Sequence, residues 1–126
     1  MSYLLDSNIL IWARLERRRI LPAIISLLEN PRKKVSYSII TPWELSIKYM
    51  KGKIILPKNF FTTLSRPSFD CLPIEEHHIT ALRSLPHLHG DPFDRMLVAQ
   101  AIAENMTIIT ADAKIAAYPV KTLLAK

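Results

Sequence analysis

Two short runs of almost wholly apolar residues, Tyr3-Leu4-Leu5 and Met106-Thr107-Ile108-Ile109-Thr110, each lead into an aspartate, Asp6 at once and Asp112 after Ala111. A run this short and this apolar suits a strand buried on both faces, which is the usual condition of a parallel sheet covered by helices. Ile9, Leu10, Trp12 and Ala13 then take up helical spacing directly behind the first run. A carboxylate is therefore expected where each strand ends.

The same alternation continues along the chain. Ile20 to Leu28 reads as a second helix, stopped around Asn30-Pro31, and Lys33 to Ser38 as a strand. Thr41-Pro42-Trp43-Glu44 has the form of a helix start, with Thr41 as N-cap, Pro42 in the first helical position and Glu44 closing a capping box; the helix should reach about Met50, before Gly52. A short helix from Pro57 to Leu64, a brief strand from Phe69 to Pro73 and a helix from Glu75 to Leu85 follow. Asp91-Pro92-Phe93-Asp94 opens the most strongly patterned helix, carried on by Met96, Leu97, Ala99, Ala101 and Ile102. Beyond Asp112, a helical turn at Ala113 to Ala117 and a strand near Val120 to Leu123 complete the pattern. Strands alternating with helices predict an α/β fold, a three-layer α/β/α sandwich around a mainly parallel central sheet. With 126 residues, 49% of them hydrophobic, one core and one domain spanning residues 1–126 are expected.

The lone Cys71 cannot form an intrachain disulfide, and no secretory leader pattern or membrane-length apolar run is evident, so a cytoplasmic location is expected. Charge is uneven: residues 1–66 carry twelve bases and four acids, the remainder five bases and seven acids. A basic half favours a polyanionic partner such as nucleic acid, although a solubilising surface would look the same.

Against that basic background, Asp6, Glu44, Asp94 and Asp112 all fall at strand ends or in first turns of helices. Taken singly, each has an ordinary explanation as a turn residue or a helix-dipole partner, and Asp91 as an N-cap. Taken together they share one kind of junction, and in a parallel sheet such junctions collect along one edge, where ligands bind. Carboxylates gathered there would raise one another's pKa values unless a cation neutralised them. Oxygen-only donors favour Mg²⁺, with Mn²⁺ as a substitute, and such a site suits phosphodiester hydrolysis.

Four blocks also carry a resemblance: Leu4-Leu5-Asp6-Ser7-Asn8, Thr41-Pro42-Trp43-Glu44-Leu45-Ser46-Ile47-Lys48, His89 to Ala101 around Asp91-Pro92-Phe93-Asp94-Arg95, and Ile109-Thr110-Ala111-Asp112. In this order they resemble PIN-domain proteins, and among those the VapC-type toxins of toxin–antitoxin pairs. The resemblance implies a Mg²⁺-dependent endoribonuclease cleaving cellular RNA, commonly a homodimer and held inactive by a cognate antitoxin. It places the acidic site on Asp6, Glu44, Asp94 and Asp112, with Asn8 and Thr110 as polar supports and Asp91 as a motif member that its capping role alone would explain.

Lys48, four residues after Glu44, is expected to pair with it on one helix face, or to contact phosphate. Arg17-Arg18-Arg19 and Arg32-Lys33-Lys34 are candidates for phosphate contacts, each set against the commoner reading of a solvated charge run. Arg95 is read first as a surface or dimer contact and second as an RNA contact. Trp12 and Trp43 are read as packing residues ahead of base stacking, and His77, His78, His87 and His89 as loop or surface residues rather than zinc ligands. Three competing functions remain. A phospho-receiver would pair acids at its first strand end, where Asp6 is followed by Ser7 and Asn8. An inactive PIN-like RNA-binding module would not need all four acids. A phosphatase with an Asp-x-Asp pair would need an acid at residue 8.

Overall fold

The structure, a computed structural model, describes residues 2–64 and 69–126. Its strands are β1 (Ser2–Leu5), β2 (Lys34–Ser38), β3 (Asp70–Leu72), β4 (Thr107–Thr110) and β5 (Thr122–Leu124). They form one sheet in the order β3-β2-β1-β4-β5, and every pairing is parallel. The helices are α1 (Ser7–Leu15), α2 (Pro22–Glu29), α3 (Ile40–Met50), α4 (Glu76–Arg83), α5 (Pro92–Ala103) and α6 (Ala113–Ala116).

Leu5 at the end of β1 is in register with Tyr37 of β2 on one side and Ile109 of β4 on the other. The carboxyl ends of the three central strands are thus level. Alternation along β1 feeds two cores: Tyr3 and Leu5 pack with Ile9, Leu10, Ile24 and Leu28 from α1 and α2, whereas Leu4 packs with Leu97, Val98 and Ala101 of α5 and Ile115 of α6. This is the three-layer sandwich expected, with helices on both faces of the sheet. Leu4, Leu5, Ile108 and Ile109 are wholly buried, each stabilising the fold by about 1.5–3 kcal/mol through apolar burial.

Two local expectations fail. The capping box at Thr41 and Glu44 does not form, because the chain enters α3 two residues sooner: the Ile40 N–H donates to Ser38 Oγ at 3.1 Å, and Thr41 is buried inside the helix. A capping box does close on α4, between Glu75 and His78. The helix expected from Pro57 to Leu64 is reduced to a single 3₁₀ turn, Phe61–Thr63.

Candidate active site

In the order β3-β2-β1-β4-β5 the connections change direction between β1 and β4, and open parallel sheets take ligands in the crevice beyond the carboxyl ends at such a reversal. Asp6 leaves β1 there and caps α1. Its Oδ1 accepts from the Ile9 N–H at 2.9 Å, and its Oδ2 accepts from the hydroxyl of Thr110, at the end of β4. Thr110 Oγ1 in turn accepts from the Asp112 N–H at 2.9 Å, and Asp112 caps α6 through the Lys114 N–H, also at 2.9 Å. One buried hydroxyl therefore ties two of the acids together.

The other two arrive on helices. Glu44, only 8% exposed on α3, is held by Lys48 Nζ at 3.1 Å across one turn. Asp94 lies in the first turn of α5, whose N-terminus is capped by Asp91: Asp91 Oδ1 accepts from the Phe93 N–H at 2.9 Å and the Asp94 N–H at 3.2 Å. The first-turn place of Asp94 follows from the local sequence, with Pro92 fixing the start of α5, whereas Glu44, expected in a first turn, lies one turn further into α3 because that helix starts early.

The four acids lie near enough to act on one another electrostatically. Burial pushes the Asp94 carboxyl up to about 7, and the charges of Asp91, Glu44, Asp112 and Asp6 push in the same direction. Burial also raises Asp6; the bonds from Thr110 and the Ile9 N–H pull it down, and the charges of Asp112 and Glu44 push it up. Like charges sharing a half-buried pocket favour a bound cation.

The donors are all hard oxygens, which suits Mg²⁺ or Mn²⁺, and each oxygen of Asp6 keeps a lone pair beyond its hydrogen bond. Among the described residues the acids do not bring three ligand atoms within 4.8 Å of one another. That spacing fits an ion such as Mg²⁺, which binds one or two carboxylates directly and keeps several waters.

The tight group of three is elsewhere, at His77, His78 and Glu104. His78 is no surface residue: it is wholly buried on α4, its Nδ1 accepts from the Glu75 N–H at 3.0 Å, and its Nε2 lies 2.8 Å from Glu104 Oε2. Nδ1 as acceptor puts the proton of the neutral ring on Nε2, which leaves no lone pair there for a metal. The group is a hydrogen-bonded clamp between α4 and the end of α5.

The basic candidates separate in space. Lys48 is at the pocket. Arg17, Arg18 and Arg19 form a 3₁₀ turn beyond the nine-residue α1, about 14 Å along its axis from Asp6; Arg17 pairs with Glu29, and Arg19 pairs with Glu16 and covers Trp12. Arg32, Lys33 and Lys34 lie where β2 begins, at the opposite edge of the sheet. Arg95 is an internal brace, its Nη1 donating to the Pro86 carbonyl at 2.9 Å and lying 3.1 Å from the Tyr118 hydroxyl. Asn8 is exposed in the first turn of α1 and makes no side-chain hydrogen bond with a described residue. Trp12 is packed as expected, but Trp43 is 59% exposed. Lys51 and Lys53, not singled out from the sequence, line a cleft beside Glu44 and Asp91; the Lys-Gly-Lys pattern after α3 was the available signal.

The PIN domain family matches this chain over residues 3–121. The chain belongs to the PIN-domain family. Solved structures share this PIN fold. VapBC2 of Rickettsia felis, bound to a DNA fragment from its promoter, aligns over 100% of both chains at 20% identity with a TM-score of 0.79. A toxin–antitoxin complex from Klebsiella pneumoniae and the FitAcB structure from Neisseria gonorrhoeae each align over 98% of this chain and 97% of theirs at 22% identity, with TM-scores of 0.68 and 0.67. No curated protein matches this PIN domain in sequence. Among its described residues no helix is long and apolar enough to cross a membrane.

Proposed function

We propose that this PIN domain is a metal-dependent endoribonuclease acting as the toxin of a toxin–antitoxin pair, with residues 1–126 as one catalytic domain. The observation that carries the proposal is the meeting of Asp6, Glu44, Asp94 and Asp112 at the β1/β4 reversal, with Asp94 raised to about 7 by its burial and its acidic neighbours. Asp6 and Asp94 would hold Mg²⁺ or Mn²⁺, with Glu44 and Asp112 reaching it directly or through water. A bound ion supplies an activated water and neutralises charge on the scissile phosphate.

The chain's own groups set the geometry. Thr110 and the Ile9 N–H fix the Asp6 carboxylate, Lys48 fixes Glu44, and Asp91 fixes the helix turn that presents Asp94. The toxin assignment draws on the toxin–antitoxin assemblies among the fold neighbours. From these and the family resemblance come a cognate antitoxin as partner, cellular RNA as substrate, a homodimer as the working state and a cytoplasmic site of action.

The sheet order argues against a phospho-receiver, whose strands run 2-1-3-4-5, where this sheet runs 3-2-1-4-5. Sequencing RNA 5′ ends after brief expression tests the proposal: the parent should create new ends that Asp94→Asn does not, and identical end maps would refute it.

A further inference from the structure

The chain leaves α3 through a tight reversal. Gly52 adopts φ +69, its N–H donates to the Tyr49 carbonyl at 3.1 Å, and the Lys53 N–H donates to the Lys48 carbonyl at 2.9 Å. This is a Schellman C-cap, in which the glycine takes the left-handed conformation that a side chain disfavours. Its consequence is chemical: Lys53 is folded back beside the last turn of α3, so that Lys48, Lys51 and Lys53 line one cleft of about 300 Å³. Glu44, Asp91, Pro92 and Phe93 form other parts of its wall, which joins it to the acidic pocket.

Lys48 is engaged with Glu44, whereas neither Lys51 nor Lys53 has an ion-pair partner among the described residues. Both are exposed, so the cleft carries two cations available to a bound anion. The exposed ring of Trp43 packs edge to face, with ring centroids 5.1 Å apart, against Phe93, which lines the cleft. Paired cations beside an exposed indole are the elements of a single-strand nucleic-acid groove, phosphates on the lysines and a base on the ring.

We infer that the Lys51-Gly52-Lys53 cap and Trp43 form a single-stranded RNA subsite, holding the backbone phosphates next to the scissile one. The inference rests on the ribonuclease reading for its place beside the scissile bond, but its binding test does not require cleavage. The probe is a fluorescein-labelled single-stranded RNA dodecamer, titrated with the full chain in EDTA over a range of salt concentrations. Lys51→Ala/Lys53→Ala should lower the slope of log affinity against log salt by about 1.4, roughly 0.7 for each phosphate that is no longer neutralised. Trp43→Ala should weaken binding by about tenfold. The charge-matched control Arg83→Ala/Lys121→Ala should keep the parent slope.

An unchanged slope in the lysine double variant, or an equal fall in the control, would overturn the subsite. So would displacement of the RNA by polyglutamate as readily as by polyuridylate, which would point to an acidic peptide as occupant. RNA binding with the predicted slopes but no cleavage on adding Mg²⁺ would leave the subsite standing and sink the ribonuclease reading.

Discussion

The hydroxyl of Thr110 donates to Oδ2 of Asp6 across 104 residues of sequence, joining the ends of β4 and β1 at the floor of the acidic pocket. The Thr110 hydroxyl oxygen also accepts from the Asp112 N–H, so Thr110 orients two of the four acids at once.

Thr110→Val keeps the volume and removes both bonds. Because the Thr110 bond is the largest influence lowering the Asp6 pKa, Asp6 should titrate higher in the variant. A buried N–H and carboxylate left without this partner should cost about 1–3 kcal/mol in urea unfolding. RNA cleavage should fall and its pH profile move to higher pH; a parental profile would mean that Thr110 does not tune Asp6.

Asp94 gives a stability prediction with a definite sign. Its folded pKa of about 7 lies above the ordinary 3.8, so between these values the folded state holds a proton that the unfolded chain has released. Without a divalent ion, stability should therefore decline as pH rises through this window, by less than the full shift implies because solvent screens this partly exposed carboxyl. Asp94→Asn removes the penalty. In EDTA the variant should melt above the parent at pH 8 and show no such advantage at pH 4; equal melting curves at pH 8 would contradict the proposed repulsion.

Lys48→Ala leaves Glu44 buried without its cation. A loss of about 1 kcal/mol of stability and of about tenfold in cleavage is expected, with partial rescue by Lys48→Arg. Rescue of stability without any change in cleavage would confine Lys48 to a structural role.

His78→Ala tests the clamp between α4 and α5. It removes the buried ring that bonds Glu104 and the Glu75 N–H, and should cost about 2–4 kcal/mol, read by urea unfolding. Zinc should stabilise neither the parent nor the variant in thermal melts. A zinc-dependent rise in the parent alone would overturn the tautomer assigned to His78.

Much of this site was legible in the sequence because its acids stand where periodicity changes. Asp6 follows a run of three apolar residues and precedes a helical pattern, and Asp94 sits inside the Asp91-Pro92 helix start, so local signals alone located both. What the sequence could not disclose depends on partners distant along the chain. His78 looks like a surface histidine until Glu104 and Gln100 are brought beside it, and Ser38, which bonds Gln100 Oε1 at 2.5 Å, takes over the start of α3 that Thr41 seemed to mark. The arginine run of residues 17–19 illustrates the converse. Charge composition gave it a phosphate role, but Glu16, Glu29 and Trp12 engage its two outer members.

Hydrolysis of single-stranded RNA by the purified chain, compared with Asp94→Asn, tests the central claim most directly. Cleavage that appears with Mg²⁺ or Mn²⁺, stops with EDTA, returns on adding back the ion and is absent from a folded Asp94→Asn protein is the predicted result. Cleavage by the variant at the parental rate, or by the parent in EDTA, would contradict a metal-dependent site built on these four acids.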